Sequence, residues 1–367
     1  MRIKKLHIRN FKSLVDFELE DLKPFCAFVG PNASGKSNIF EALEFTNYLV
    51  RYTHEAPRFF GGVQNIYAYN SLPIIYNGQG NSNALVFDFQ FEDNIYIYSI
   101  ATFPFAKNEL FGTLGDSRNP KNFNGISPLS SYNLRDLDKR GQFISDWIKA
   151  GNIYQNDYEV FIDNFSRIFV GKSSLNRTPA DNTKLSPDTS NLPQIIGMIL
   201  ENDQKRSDFI EWLRILIPEF KDIEVKKSNI DGKYDFFIYE KGSNKPFPRN
   251  LISDGTYNIL SLMAAVYQSN QPQFLCIEEP ENGLHPQAIE LLVDFFREKC
   301  EEDGHHIWLN THSQTLVRSL EIDEVILVNK INGETKAKQL TKEDNIDIKT
   351  DEAWLSNALG GGVLWSK

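Results

Sequence analysis

The chain has 367 residues, of which 41% are hydrophobic and 13% aromatic, and it carries a formal net charge of −10. That composition supplies sizeable cores for two or three domains and excludes a predominantly disordered chain. The acidic balance excludes a surface coated in nucleic-acid-binding charge, while leaving room for a local basic groove. No apolar run approaches the ~18 residues of a membrane span. The opening Met1-Arg2-Ile3-Lys4-Lys5-Leu6-His7 turns polar too early for a signal peptide. Cys26, Cys276 and Cys300 show no metal-ligand spacing and read as reduced core thiols, so a cytoplasmic location without membrane association is expected.

In chain order, residues 2–9 and 13–20 read as strands around Asn10-Phe11-Lys12, and Lys23–Val29 as a short buried strand. A helix follows from Lys36 to about Val50, with Ile39, Leu43 and Val50 on one apolar stripe and Phe40 beside it. Leu85–Phe91 and Ile95–Ile100 flank Glu92-Asp93-Asn94 as a hairpin. Residues 106–140 read as loop-rich, Gln142–Arg167 as helical, and 171–190 as polar and Pro-containing. Helices are expected at Asn191–Asn202 and Ser207–Ile217, then a hairpin of Glu224–Lys227 and Tyr234–Glu240 around Asp231-Gly232. The last part alternates: helix Thr256–Gln268, strand Gln273–Glu278, helix Pro286–Cys300, strand His306–Asn310 and short helix Thr315–Leu320. Val325–Asn329 and Thr335–Leu340 pair around Asn332-Gly333. The order is α/β with an antiparallel addition. It divides into an N-terminal lobe at 1–104, a helical and loop-rich insertion at 105–190, and a C-terminal lobe at 191–367. No sustained heptad pattern and no internal repeat is present.

Gly30-Pro31-Asn32-Ala33-Ser34-Gly35-Lys36-Ser37 fits G-x-x-x-x-G-K-[ST], set between a predicted strand and a predicted helix as that loop requires. The glycines let the backbone curl around phosphate oxygens, and the loop N–H groups with the helix N-terminus attract anions. Lys36 neutralises the β and γ phosphates, and the Ser37 hydroxyl is a ligand for Mg²⁺. Far along the chain, the apolar Phe274-Leu275-Cys276-Ile277 ends in Glu278-Glu279. Glu278 would hold Mg²⁺ through water, and Glu279 would polarise the attacking water as general base. His312, after the strand Ile307-Trp308-Leu309, is positioned to bond the γ-phosphate or that water. His285 belongs to the loop after the acids, and His7, His54, His305 and His306 carry no assigned chemistry. Ser253-Asp254-Gly255 precedes an apolar helix. Besides capping it, this triplet offers a helix N-terminus to a γ-phosphate held by another subunit. These motifs read together as an ATPase.

In this order the segments resemble ATP-binding-cassette ATPases of the SMC, RecF and OLD group. Ile8-Arg9-Asn10-Phe11-Lys12-Ser13 resembles that group's opening strand and turn, which reaches the nucleotide and so adds Lys12 to the contacts expected of Gly30 through Asn38. Ser253-Asp254-Gly255 is similar to the signature motif, Glu278-Glu279 to Walker B, Asn282-Gly283-Leu284-His285 to the D-loop, and His312 to the switch histidine. Asp188-Thr189-Ser190-Asn191-Leu192, Lys245-Pro246-Phe247-Pro248 and the ending Trp354 to Gly362 look like stand-alone, OLD-like AAA-type ATPases without a nuclease domain. The resemblance covers most of the chain, least clearly 105–185. It departs in the Glu-Glu pair where many relatives have Asp-Glu, in a signature lacking the second glycine of transporter cassettes, and in the absence of an evident Q-loop glutamine, for which Gln64 and Gln90 are candidates.

The resemblance implies an ABC-type head, a P-loop NTPase with a mixed sheet, an antiparallel β subdomain and an insertion. It also implies a homodimer that sandwiches two ATP–Mg²⁺. Without a coiled coil, and with 55 residues after His312, neither an SMC arm nor an OLD nuclease domain is expected. The leading expectation is therefore an ATPase regulating a separately encoded effector, a nuclease foremost, in anti-phage defence linked to DNA or RNA. The alternatives are a RecF-like DNA-binding repair ATPase without an effector, a transporter motor subunit, and a nucleotide sensor without turnover.

Overall fold

In the computed structural model the described residues are 3–52, 56–62, 65–66, 74–76, 79–81, 85–91, 96–103, 109–116, 164–169, 183–228, 232–344 and 350–355. The chain opens with β1 (Ile3–Phe11) and β2 (Leu14–Glu20), whose Phe11↔Leu14 pairing leaves a tight turn with Lys12 at φ 49°. A left-handed residue is what so short a hairpin turn demands. β3 (Phe25–Val29), buried at every position, leads into α1 (Lys36–Tyr52), and α2 (Ala56–Phe59) follows. Then come β4 (Ile74–Tyr76), β5 (Gln79–Asn81), β6 (Leu85–Phe91), β7 (Tyr96–Phe103), β8 (Glu109–Asp116) and β9 (Phe165–Phe169). Helices α3 (Leu192–Leu200) and α4 (Asp203–Leu216) precede β10 (Phe220–Lys227), β11 (Tyr234–Glu240) and β12 (Phe247–Pro248). The next elements are α5 (Asp254–Tyr267), β13 (Phe274–Glu278), α6 (Pro286–Glu302), β14 (His306–Thr311) and α7 (Gln314–Arg318). β15 (Val325–Ile331), β16 (Glu334–Gln339) and α8 (Thr350–Leu355) close the described chain.

The chain divides into two units. The first comprises Met1–Phe165, Ile322–Asn345 and Trp354–Lys367. It holds an antiparallel sheet in the order β2-β1-β6-β7-β8. It also holds β16-β15-β3, in which β15 runs parallel to β3 and antiparallel to β16. The hairpin β15–β16 therefore belongs with the N-terminal strands. Its core is phenylalanine-rich: Phe11 meets Phe45 at 5.5 Å and Phe87 at 6.0 Å between ring centroids, and Phe28 meets Phe40 at 5.4 Å. Ile39, Phe40 and Leu43 of α1 are buried, as the apolar stripe predicts.

The second unit comprises Ser166–Glu321 and Ile346–Ala353. β13 and β14 pair in parallel from Phe274↔His306 to Glu278↔Asn310, with β9 on the other side of β13. A strand held between two neighbours is covered throughout, which is why Phe-Leu-Cys-Ile-Glu reads as a near-continuous apolar run. Trp308 packs on Phe274 at 4.7 Å, and Phe209, Tyr267, Phe295 and Trp212 form a second aromatic group. β10, β11 and β12 make a separate antiparallel sheet.

The structure corrects the expected helix Gln142–Arg167 at its end: Phe165, Ser166 and Arg167 are in strand β9, while 142–163 lie outside the described residues. Phe165, Ile168 and Phe169 are spaced as a helix stripe would be, and a short apolar run cannot separate the two periods. Within the stretch read as loop-rich, Glu109–Asp116 pairs with β7 as a regular strand. Helix α4 starts at Asp203 rather than Ser207, because the Asn202 side chain accepts from Lys205 N–H and caps it there. Residues 171–182, Gln64, His54 and Asp231 lie outside the described residues. All three cysteines are buried and none is in a disulfide. Among the described residues no helix is long and apolar enough to cross a membrane.

Candidate nucleotide site

The loop Gly30–Ser37 lies in the first unit, between β3 and α1, where the sequence reading put it. Asn32, Ala33 and Ser37 are exposed, while Ser34 and Lys36 are buried. Lys36 Nζ donates to the carbonyls of Gly30 (2.7 Å) and Pro31 (2.9 Å). A lysine curled over its own loop keeps its ammonium within the turn, and charged donors of this kind bind carbonyl and phosphate oxygens alike. Gly35 has φ 100°, and a Cβ there would sit 1.8 Å from Thr335 Oγ1, so both backbone angle and space demand glycine. Lys12 Nζ, from the β1–β2 turn, donates to Glu41 Oε2 on α1 at 2.5 Å. It is thus held on the helix that the loop opens.

Thr335 is a residue sequence reasoning missed. It comes from β16, on the far side of the chain. Its hydroxyl donates to the Ser34 carbonyl (3.0 Å) and lies 2.6 Å from Ser13 Oγ, while its N–H donates to the Ser13 carbonyl (2.8 Å). Asn38 Nδ2 donates to the same Ser13 hydroxyl at 2.7 Å. These groups tie the loop to the β1–β2 turn and to β16. Thr335→Val keeps the shape and deletes the hydroxyl, leaving buried partners unsatisfied at a cost of about 1–3 kcal/mol. The expected result is a lowered melting temperature and ATP binding weakened roughly 10-fold in a nucleotide titration. Wild-type affinity in this variant would show that the brace does not shape the loop.

The acids and His312 lie in the second unit. Glu278 ends β13 and is 3% exposed. Arg167 of β9, likewise buried, donates to Glu278 Oε1 from Nε (3.0 Å) and Nη2 (2.5 Å). Asn310 Nδ2 donates to Glu278 Oε2. Glu279 follows at φ 49°, a conformation that is strained for a residue with a side chain and that turns the chain out of the strand. Its N–H donates to the Asn310 carbonyl at 2.8 Å, and its Oε1 lies 3.8 Å from His312 Nδ1. Both side chains keep solvent contact, with His312 at 42% and Glu279 at 24%. Glu281 accepts from the Thr311 hydroxyl at 2.6 Å. Burial pushes its carboxyl above the ordinary range, and that hydroxyl pulls it part of the way back.

The signature-like triplet sits on the same unit. Ser253 caps α5 by accepting from Thr256 N–H (3.1 Å), and Ser253 and Asp254 are exposed. A Cβ on Gly255 would come within 2.6 Å of the Gly283 carbonyl, so glycine permits the helix start to press on the loop after the acids. One turn on, Asn258 Nδ2 donates to the Asn282 carbonyl (2.8 Å), and Asn282 Nδ2 donates to Glu279 Oε2 (3.0 Å). The start of α5 is therefore joined to the candidate general base through two side-chain hydrogen bonds. His285 caps α6 by accepting from Gln287 N–H. His305 and His306 are core residues that burial drives down to about 4 and about 3, so both are neutral at physiological pH.

Among the described residues no cluster of three or more His, Cys, Asp or Glu could hold a metal alone. The Ser37 hydroxyl in the first unit and the Glu278 carboxylate in the second are each hard oxygen donors of the kind Mg²⁺ takes. With both oxygens of Glu278 engaged by Arg167 and Asn310, its contact with such an ion fits a bridging water better than direct ligation.

The first unit carries a strand–loop–helix phosphate cradle, and the second carries paired acids at the end of a parallel strand and an exposed helix-starting triplet; these are elements of a nucleotide-binding AAA-type domain. The fold agrees: the "SmcHead bound to the C-winged helix domain of ScpA" aligns over 94% of this chain and 100% of that one, at TM-score 0.60 and 15% identity. The Smc head domain from Thermotoga maritima aligns over 93% and 100%, at TM-score 0.53 and 16% identity. The family described as "AAA domain, putative AbiEii toxin, Type IV TA system" matches residues 25–318, and the chain belongs to it. An "AAA ATPase domain" family also matches residues 1–48. A stretch of 43 residues is 49% identical to the chromosome partition protein Smc of Methanocaldococcus jannaschii, which is 12% of this chain and 4% of that protein.

Proposed function

We propose that the chain is an ATP-driven dimer switch that hydrolyses ATP and controls a separately encoded effector, a nuclease foremost, in cytoplasmic anti-phage defence. Two copies would enclose two ATP–Mg²⁺, each loop Gly30–Asn38 facing the partner's Ser253-Asp254-Gly255. Lys36 would release its own loop carbonyls and hold the β and γ phosphates, with Lys12 adding charge from its seat on Glu41. Ser37 and, through water, Glu278 would hold Mg²⁺, which would supply neutralising charge to the phosphates. Glu279 would take the proton of the attacking water, and His312 beside it would orient that water or the γ-phosphate.

One observation carries the reading. The exposed start of α5 is linked through Asn258 and Asn282 to Glu279. A phosphate arriving from a partner at Ser253-Asp254-Gly255 would thus be felt at the base of the same chain, which couples closure to hydrolysis. Support for a partner protein comes from the Smc heads solved bound to ScpA domains. Support for a defence role comes from the family's description as a putative toxin of a toxin–antitoxin system. Because each site would need two chains, ATPase activity per chain should fall on dilution, with the total rate approaching a second-order dependence on protein concentration. Activity per chain that is flat from micromolar to low nanomolar protein would contradict the shared site.

A further inference from the structure

We propose that Arg167 is a positioning residue for the metal-side acid: with Asn310, it fixes the Glu278 carboxylate in the orientation that meets the nucleotide-borne Mg²⁺. The inference rests on the assignment of Glu278 to Mg²⁺ above and adds to it a residue from a different strand, separated from the acid by 111 positions.

The geometry is that of an oriented ligand. Arg167 and Glu278 have side chains 4% and 3% exposed, on neighbouring strands β9 and β13. Two guanidinium nitrogens converge on one oxygen, Oε1, and Asn310 takes the other, so both oxygens are held from fixed directions. The guanidinium is itself seated, with its carbon 4.5 Å from the centroid of the Phe169 ring two residues along β9. A carboxylate withdrawn this far from water needs a counter-charge, and arginine supplies one together with a fixed direction. Partners that orient a metal-binding carboxylate act on the ion without touching it, and their loss typically costs 10–100-fold in metal affinity or activity. A purely structural ion pair would be equally buried but would leave the metal requirement of the folded protein unchanged.

The test measures binding of a fluorescent ATP analogue to the full chain, first in EDTA and then across a MgCl₂ titration, at a temperature well below melting for each variant. Arg167→Met should raise the half-saturating Mg²⁺ concentration about 10-fold or more while leaving the EDTA baseline as in wild type. Arg167→Lys keeps the charge but loses the two-pronged grip, and it should shift the same way by a smaller factor. It also keeps the proposal testable should the methionine variant fail to fold. Glu278→Gln is run beside them. If it shifts the Mg²⁺ requirement and neither Arg167 variant does, the positioning role is overturned and the metal reading stands. If Glu278→Gln leaves the requirement unchanged, the metal reading falls and this inference with it.

Discussion

Lys36→Ala should weaken ATP binding by at least about 100-fold, roughly 3 kcal/mol, the upper range for hydrogen bonds to a charged group. In the free protein the ammonium satisfies the Gly30 and Pro31 carbonyls. Removing it deletes the cation that would face phosphate and leaves two carbonyl dipoles with their negative ends near the anion. The loop itself should persist, because its brace runs through Ser13, Asn38 and Thr335 and bypasses Lys36. The expected signature is therefore lost binding in calorimetry or a fluorescent-nucleotide titration, by a protein that still unfolds in one cooperative transition. Normal hydrolysis by this variant would refute the assignment of the loop.

Glu279→Gln should lower ATP turnover by about 10²–10⁴-fold, the usual worth of a positioned general base, with ATP binding retained. Glutamine is nearly isosteric and can still accept from Asn282 Nδ2 through its carbonyl oxygen, so the link to α5 survives while the proton acceptor is gone. Rapid-quench measurement of phosphate release separates the two effects, since only the chemical step should slow. Turnover within a few-fold of wild type would move the base elsewhere, with Glu278, Glu281 or His312 the groups to try next.

Motifs that are short and local were legible in the sequence. The phosphate loop opens α1 at Lys36 as read, the paired acids end β13, and Ser253 caps α5, because each depends on residues within one turn of chain. The hairpin around Asn332-Gly333 was legible for the same reason. What hid were partnerships made by pairing distant strands. Ser13 and Thr335 are 322 positions apart, and nothing local marks either as a brace. Arg167 carried a faint signal, a single charge inside the apolar run Phe165-Ser166-Arg167-Ile168-Phe169, and charges are seldom buried without a partner. The helix-like spacing of that run obscured it. The resemblance points to Lys12 as a nucleotide contact, but its grip on Glu41 depends on how the β1–β2 turn meets α1.

In the proposed dimer, the hydrogen bonds from Asn258 to Asn282 and from Asn282 to Glu279 would make each candidate base answer to a phosphate brought by another chain. The most direct measurement is the mass of Glu279→Gln in solution, by analytical ultracentrifugation or light scattering, with saturating ATP and Mg²⁺ and again without nucleotide. A monomer that becomes a dimer of twice the 42.2 kDa chain mass only with ATP and Mg²⁺ is the predicted result. A variant that binds ATP yet stays monomeric would contradict the shared site.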